Sequence, residues 1–456
     1  MQSVPPFRVC GTSPERPVAR TDSALLSILT GSWTAIGVLL WVTFPKAAPA
    51  ILLLCSVAPA AWYQAANRRL PRFAPSAVTA ALVLAGMYLL INASWSLSPS
   101  SAFWAIGLML AIAAVLHIVL HTLPELDGPP LRAMAIGTLA GLTLAGALLC
   151  FEVFSEQVLR RLLIPFIPAL QPNPLHVELD AGQVVSLRDH LPNQSIGVLA
   201  LLFWPAVLIV SRLGLMRHHK YSVLLASGAA GITVFASEHA SSMVAFAGAA
   251  LTFALFRARP RAAKALMVAG WTIATLLAVP IASLPYGAGM HHASWLPESA
   301  RHRVVIWRHT SEQVPNALFL GTGASTARTL YKARGPDTPL APGTKFQLAT
   351  GMHSHNAYLQ VWYETGGLGA LIVFGLGLLV LRAIGRFRVE LQPFLASTFV
   401  ACALLAASAF SIWAPWFMAS LAMASVFAAL GAAVPADARS RTPLSSNSKL
   451  AVAASA

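Results

Sequence analysis

Apolar runs of about twenty residues, the length that crosses a hydrocarbon core, recur from residue 24 to residue 434 with short polar connections between most of them. They predict twelve membrane helices, over residues 24–44, 47–66, 75–93, 101–121, 131–151, 195–211, 221–237, 239–256, 265–284, 357–381, 391–411 and 414–434. Pro59 interrupts the second run, and Glu238-His239 barely separates the seventh from the eighth. The predicted fold class is all-α, a polytopic integral membrane protein. Residues 1–23 form a cytoplasmic N-terminal arm, 24–434 the transmembrane domain, and 435–456 an Ala/Ser-rich cytoplasmic tail with too little apolar content to pack.

Two connections are long, residues 152–194 and 285–356, and function is expected to concentrate there. The first opens with an amphipathic stretch, Val153 to Leu170, in which Arg160 and Arg161 sit among Leu, Ile and Phe before Pro165 and Pro168 break the helix. It is expected to lie along the bilayer surface. The second is expected to be partly helical.

Composition agrees with the pattern. At 57% hydrophobic and 10% charged, with mean hydropathy +0.67, the chain falls outside the soluble globular class. Glu15 and Asp22 in the opening segment, and a first apolar run as long as a span, argue against a cleavable signal. Cys55, Cys150 and Cys402 lie in apolar runs and Cys10 in the arm, so no disulfide framework or thiolate metal site is expected. Orientation follows from the short connections. Those holding Arg68, Arg69 and Arg72, then Arg212, Arg217 and Lys220, then Arg257, Arg259, Arg261 and Lys264, then Arg382, Arg386 and Arg388 all fall on one side, as do both termini. That side is predicted to be cytoplasmic, and the two long connections therefore periplasmic.

The 285–356 connection carries seven Lys and Arg against three acidic residues, a balance of +4, and six of the thirteen histidines. Such charge on the outward face predicts an anionic, phosphate-rich partner. Within it, Arg301-His302-Arg303-Val-Val-Ile-Trp307-Arg308-His309 reads as a helix capped by Ser299, with Arg303 and Trp307 four residues apart on one face. A cationic and aromatic face suits a membrane-surface sugar phosphate; an exposed basic helix near lipid head groups is the other reading. In the first connection, Arg188 is a candidate second phosphate contact or simply an ion-pair partner of Asp189. His117 with His121, and Glu238 with His239, are expected to make interfacial hydrogen bonds.

The sharpest cluster is His353-Ser354-His355-Asn356 at the mouth of the tenth span. Ser354 is expected to cap that helix, which would place His355 in the first turn beside the positive end of the dipole. Positive surroundings favour a neutral imidazole, able to take a proton from a sugar hydroxyl as a general base. His355, Leu359, Trp362, Gly366 and Gly369 would share one helical face, the glycines admitting a neighbouring helix. Ordinary interfacial hydrogen bonding remains an open reading for both histidines. A His-x-His metal site lacks further ligands at recognisable spacing. The chain has no Walker A loop, dinucleotide fingerprint or HExxH, and the outward connection near Lys46 has no acidic residue. A metal-independent reaction without cofactor is expected, and no nucleic-acid partner.

At these residues the chain resembles the O-antigen ligase and polymerase superfamily. His355-Asn356, nine residues and then Gly366 to Gly369, with Glu364 before the glycines, match its shared pattern. Ser94-Trp95-Ser96-Leu97-Ser98-Pro99, Arg303-Val-Val-Ile-Trp307 and Leu320-Gly321-Thr322-Gly323 match three further pieces in order. The resemblance implies inverting glycosyl transfer at the periplasmic face of a bacterial inner membrane. The donor would be an undecaprenyl-pyrophosphate-linked polysaccharide, with arginines on the leaving group and the histidine activating the acceptor. It implies His355 and Arg303 as catalytic residues, with Arg188, Arg301, Arg308, Asn356, Trp307 and Glu364 binding substrate. Gln194 stands where family members often carry an arginine, which makes Arg188 a candidate replacement. The basic 285–356 connection suits a phosphorylated acceptor, so ligation to lipid A-core in the membrane, giving lipopolysaccharide, is expected over the superfamily's polymerase and protein O-oligosaccharyltransferase activities. A transporter of lipid-linked glycan, the rival from another class, would require ionisable residues or paired broken helices at the midplane, which the sequence does not advertise.

Overall fold

A computed structural model describes residues 20–56, 77–126, 128–164, 166, 177–180, 183–187, 192–335 and 337–436 of the 456-residue chain. In chain order its helices are α1 Arg20–Thr43, α2 Pro45–Ser56, α3 Ala77–Ala93, α4 Pro99–Thr122, α5 Gly128–Phe154, α6 Val158–Leu163, α7 Asn193–Arg212, α8 Leu215–His218, α9 Lys220–Ala236 and α10 Ala240–Ala258. There follow α11 Pro260–Leu276, α12 Ala278–Gly287, α13 Glu298–Gln313, α14 Thr326–Ala333, α15 Ala357–Arg386, α16 Gln392–Ser408 and α17 Pro415–Ala433.

Each predicted span overlaps an apolar helix, the run at 265–284 being the pair α11 and α12, and the run at 47–66 lies outside the described residues beyond Ser56. Six helices are long and apolar enough to cross a membrane, or seven if that bent pair is one span; five more are apolar but shorter. A helix of 17 residues such as α3, α9 or α16 reaches only about 26 Å, somewhat less than a hydrocarbon core of about 30 Å. The protein is thus a helical membrane protein, and the predicted count of twelve crossings exceeds what helix length alone supports.

The first long connection departs from the prediction. α5 runs on to Phe154, and the chain turns at Glu156 and Gln157, both in the left-handed region, before α6. Glu152 Oε1 accepts the N–H of Leu159 at 2.9 Å and so caps α6. Over its described residues the predicted stretch is therefore the end of α5, a turn and α6, while Pro165 and residues 167–170 lie outside them. Beyond α6 lies an antiparallel hairpin, β1 Val177–Asp180 with β2 Gln183–Leu187, the exception to an otherwise helical architecture among the described residues. Residues 1–19 of the predicted arm, residues 437–456 of the tail, and Arg188 lie outside the described residues.

α7 is the central helix, packing on α16 and α17, and its residues Ser195–Leu202 are all buried. α1 lies along α5, where Gly137 and Gly141 meet the backbone of Gly31 and Ala35 so closely that a Cβ has no room, the small-residue packing of membrane helices. Trp41 Nε1 donates to Ser420 Oγ at 3.0 Å and fastens α1 to α17.

Broken helices, not foreseen from the sequence, occur twice. α11 and α12 meet at 76°, and α15 is interrupted at Gly366 (φ 65°, ψ −169°). A broken helix releases backbone carbonyls that must find donors inside a membrane. Trp362 Nε1, from α15, donates to Thr275 O at the first break (2.8 Å). At the second, the loop 318–324 lies along the interrupted backbone: Thr322 N donates to Tyr363 O at 3.0 Å and Gly323 N to Glu364 O at 2.9 Å, while Gly367 N donates back to Leu318 O at 2.7 Å. From α3, Tyr88 Oη donates to Thr365 O (2.5 Å) and Asn92 Nδ2 to Leu320 O (2.9 Å). Protein donors thus hold Thr275 O at the first break and the carbonyls of Tyr363, Glu364 and Thr365 at the second.

Candidate active site

The three helices that meet above these breaks fix where the polar cluster lies. His239 precedes α10, Asn356 caps α15, and Ala409 follows α16. The far ends of the same helices carry Arg257, Arg382, Arg386 and Arg388. Since α10 has 19 residues and α16 has 17, the cluster stands roughly 25–28 Å along the helix axes from the basic ends. That separation is close to a bilayer core, and the cluster occupies the face opposite the basic connections.

Local chemistry at the head of α15 differs from the sequence expectation. Asn356, not Ser354, is the N-cap: its Oδ1 accepts the N–H groups of Tyr358 and Leu359, each at 3.1 Å. Asparagine does this with extended backbone (φ −147°, ψ 105°), the usual cap geometry. His355 therefore stands before the helix, in the left-handed region at φ 52°, and the shared face predicted for it with Leu359, Trp362 and the glycines does not include it. Gly366 admits the 318–324 loop in place of a neighbouring helix, and Gly369 lies beside Thr365 and Tyr88. Asn356, predicted to bind substrate, has its side-chain oxygen engaged by the cap.

His355 Nδ1 lies 3.1 Å from the carbonyl oxygen of Ala409. A carbonyl only accepts, so Nδ1 carries the proton and Nε2 of the neutral ring presents a lone pair. Nε2 has no hydrogen-bond partner among the described residues. Burial, then His353 and Arg303, hold the His355 pKa well below the ordinary histidine value, opposed in part by the Ala409 carbonyl. The direction agrees with the sequence expectation. Its leading cause, desolvation, differs from the helix dipole invoked there.

α13 supplies the cation. It begins at Glu298 after Pro297 without a side-chain cap, so Ser299 is not the cap. The helix is not simply an exposed basic surface, because Val304, Val305, Ile306 and Thr310 are buried. Arg303 and Trp307 point to the histidine loop as their spacing predicted. Trp307 Nε1 donates to Ser354 O at 2.8 Å, which leaves Trp307 supporting the loop. Arg303 Nη1 makes one long hydrogen bond, 3.4 Å, to Ser241 Oγ. Half-buried, Arg303 has no carboxylate partner among the described residues. A guanidinium so placed is unusual, since burying a charge without a counter-ion is costly, and the arrangement is one that an anionic ligand would complete.

Of the other expected residues, Arg308 is ion-paired with Glu312 at 2.7 Å and lies over the Tyr286 ring. Arg301 is half-buried, its Nε without a hydrogen-bond partner. Glu364 is fully buried: Oε1 accepts from Ala327 N at 2.9 Å, and Oε2 from Gln360 Nε2 at 3.2 Å and from Trp413 Nε1. With both oxygens engaged by protein donors, it clamps the 318–327 segment to α15 and to the loop that approaches α17.

His239, expected to be only interfacial, joins the site. It is buried, with Nδ1 2.6 Å from Ser242 Oγ, and burial and Arg303 push its pKa down to about 4. Ser241, beside it, donates to Ser408 O at 2.9 Å. The signal for His239, a histidine at a turn between two spans, was present in the sequence but not separable from ordinary interfacial placement. No group of three or more His, Cys, Asp or Glu among the described residues is arranged to hold a metal ion.

Next to the head of α15 an apolar cavity of about 610 Å³ runs between α3, α4, α15, α16 and α17, with Tyr88, His117, Ala357, Tyr358 and Trp413 among its lining residues.

Residues 223–374 match the O-antigen ligase family model. The matched segment runs from α9 into α15 and contains His239, Arg303, His355 and Gly366 to Gly369, so the superfamily resemblance read from the sequence is borne out there. Ser94 to Pro99 lie outside it, yet Ser96 Oγ donates to Ala324 O at 2.6 Å and joins the same structure. No curated protein matches the chain.

Proposed function

We propose that the protein is an O-antigen ligase of the bacterial inner membrane, with its site facing the periplasm. It would transfer polysaccharide from undecaprenyl pyrophosphate to a sugar of lipid A-core, without a metal. The acceptor hydroxyl gives its proton to His355 Nε2 as its oxygen attacks the anomeric carbon. The carbon–oxygen bond to pyrophosphate breaks with inversion, and undecaprenyl pyrophosphate leaves against Arg303. The observation that carries this reading is the pairing of an imidazole acceptor, its tautomer set by Ala409, with a half-buried guanidinium that has no counter-ion among the described residues. The O-antigen ligase match and the apolar cavity beside the site support a lipid-linked donor. The protein donors at both helix breaks favour transfer over transport.

The test is transfer by purified protein supplied with lipid-linked polysaccharide and lipid A-core. His355→Ala is expected to lower the rate by about 10²- to 10⁴-fold with donor binding retained. A rate near wild type would remove His355 as base, and a variant that no longer binds donor would recast it as a pyrophosphate ligand. A wild-type enzyme that lengthens lipid-linked repeats instead of modifying lipid A-core would assign the polymerase activity.

A further inference from the structure

Only the His355-Asn356 pair matches the superfamily pattern, so loss of His353 is expected to be milder than loss of His355. The geometry of His353 nevertheless gives it a role. The backbone N–H of His355 donates to His353 Nδ1 at 3.1 Å, and the two rings lie 4.0 Å apart. The contact spans two residues, the connection that an asparagine or aspartate side chain makes in an Asx turn, with an imidazole nitrogen in place of the amide oxygen. The ring it closes encloses Ser354 and fixes the peptide plane that enters His355, whose own backbone at φ 52° is a conformation that residues bearing a Cβ seldom adopt unless neighbouring contacts hold it. On the other side of the turn, Ser354 Oγ donates to Asn356 O at 2.7 Å and Ser354 O accepts from Trp307.

We propose that His353 is a positioning residue, whose Nδ1 anchors the peptide N–H that enters the left-handed His355 and thereby helps aim His355 Nε2 at the acceptor hydroxyl. The proposal rests on the reading of His355 as the base. A backbone N–H only donates, so Nδ1 of His353 must be unprotonated, and the neutral ring carries its proton on Nε2. The two rings are therefore opposite tautomers, and protonating His353 at Nδ1 would abolish the bond that sets the turn. Arg303 from α13 disfavours that event, and the His355 ring lies against that of His353 with centroids 4.0 Å apart. Burial and Arg303 hold the His353 pKa down to about 4.

The test compares transfer by full-length His353→Ala, His353→Asn and His353→Gln enzymes from about pH 3.5 to about pH 7.5. Asparagine can close the same turn and glutamine, one methylene longer, cannot. Asn is expected to keep the rate within about threefold of wild type, while Ala and Gln lose about 10²-fold in kcat with little change in donor KM. The acid limb of log kcat against pH should approach a slope of two in the wild type, where both rings must be neutral, and one in His353→Asn. Should the Ala variant fail to fold, the Asn and Gln pair carries the comparison. Gln or Ala at the wild-type rate, or Asn as slow as Ala, overturns the positioning role while an inactive His355→Ala keeps the base. A fully active His355→Ala instead removes the reading beneath it.

Discussion

Gly366→Ala is the most direct perturbation of the break in α15. Its backbone, at φ 65° and ψ −169°, lies in a region essentially confined to glycine, where a side chain costs about 1–3 kcal/mol. A Cβ there would also overlap the Phe319 carbonyl and come within 2.5 Å of Gly321 N. Both are backbone atoms of a loop that hydrogen bonds hold to α15, Leu368 N to Phe319 O at 3.2 Å among them, so relief by movement loses bonds of about 1 kcal/mol each. The total is about 3–5 kcal/mol, which for a protein of this size predicts a Tm lowered by roughly 5–10 °C. Thermal unfolding of the detergent-solubilised protein, read as the fraction surviving size-exclusion chromatography, measures it. Gly375→Ala is the control: no atom lies within 4 Å of its Cβ position, so it should be neutral or gain about 0.5–1 kcal/mol. A Gly366→Ala protein as stable as the control would mean that α15 closes into a continuous helix at no cost, and would refute an anchored break.

Two further outcomes follow from the site and its placement. Arg303→Lys keeps the charge but not the planar fork, so transfer should fall by about 10²-fold, the loss associated with removing one oriented transition-state donor; undiminished transfer would reduce Arg303 to surface charge. A cysteine at the exposed Asp337, on the connection predicted to be periplasmic, should react with an impermeant thiol reagent in intact spheroplasts, and labelling only after lysis would invert the proposed orientation.

The helices were legible because apolar runs at membrane length survive any local irregularity. Their interruptions were not. Nothing in Leu276-Leu277-Ala278 announces a 76° bend, and Gly366 reads as a packing glycine until the loop beneath it is seen. Arg303 with Trp307 was recoverable from helical spacing, and His355 from its place beside Asn356. Identifying the cap required backbone angles, because Ser354 and Asn356 are both good capping residues two positions apart. Tyr88 and Asn92 were out of reach for another reason: each acts through a partner far away in sequence, as Asn92 Nδ2 does in contacting Leu320 O across 228 positions.

The distribution of roles explains why the signature is spread so widely along the chain. Ser96 binds Ala324 O, Asn92 Oδ1 accepts from Ala324 N at 2.9 Å, and Glu364 accepts from Ala327 N. Gly321 and Gly323 run against Glu364 and Ser96 at distances that exclude a side chain. These pieces make one polar joint beneath the histidine loop, and each is engaged with protein, not with an open site. The joint breaks α15 and fixes its first turns relative to α3, and the cap on those turns sets where the chain leaves for His355. Most of the pattern thus encodes a stiff support for a small chemical centre. Rigidity has a direct use there, because a base displaced by about 1 Å from its productive geometry can lose about 10²-fold in rate.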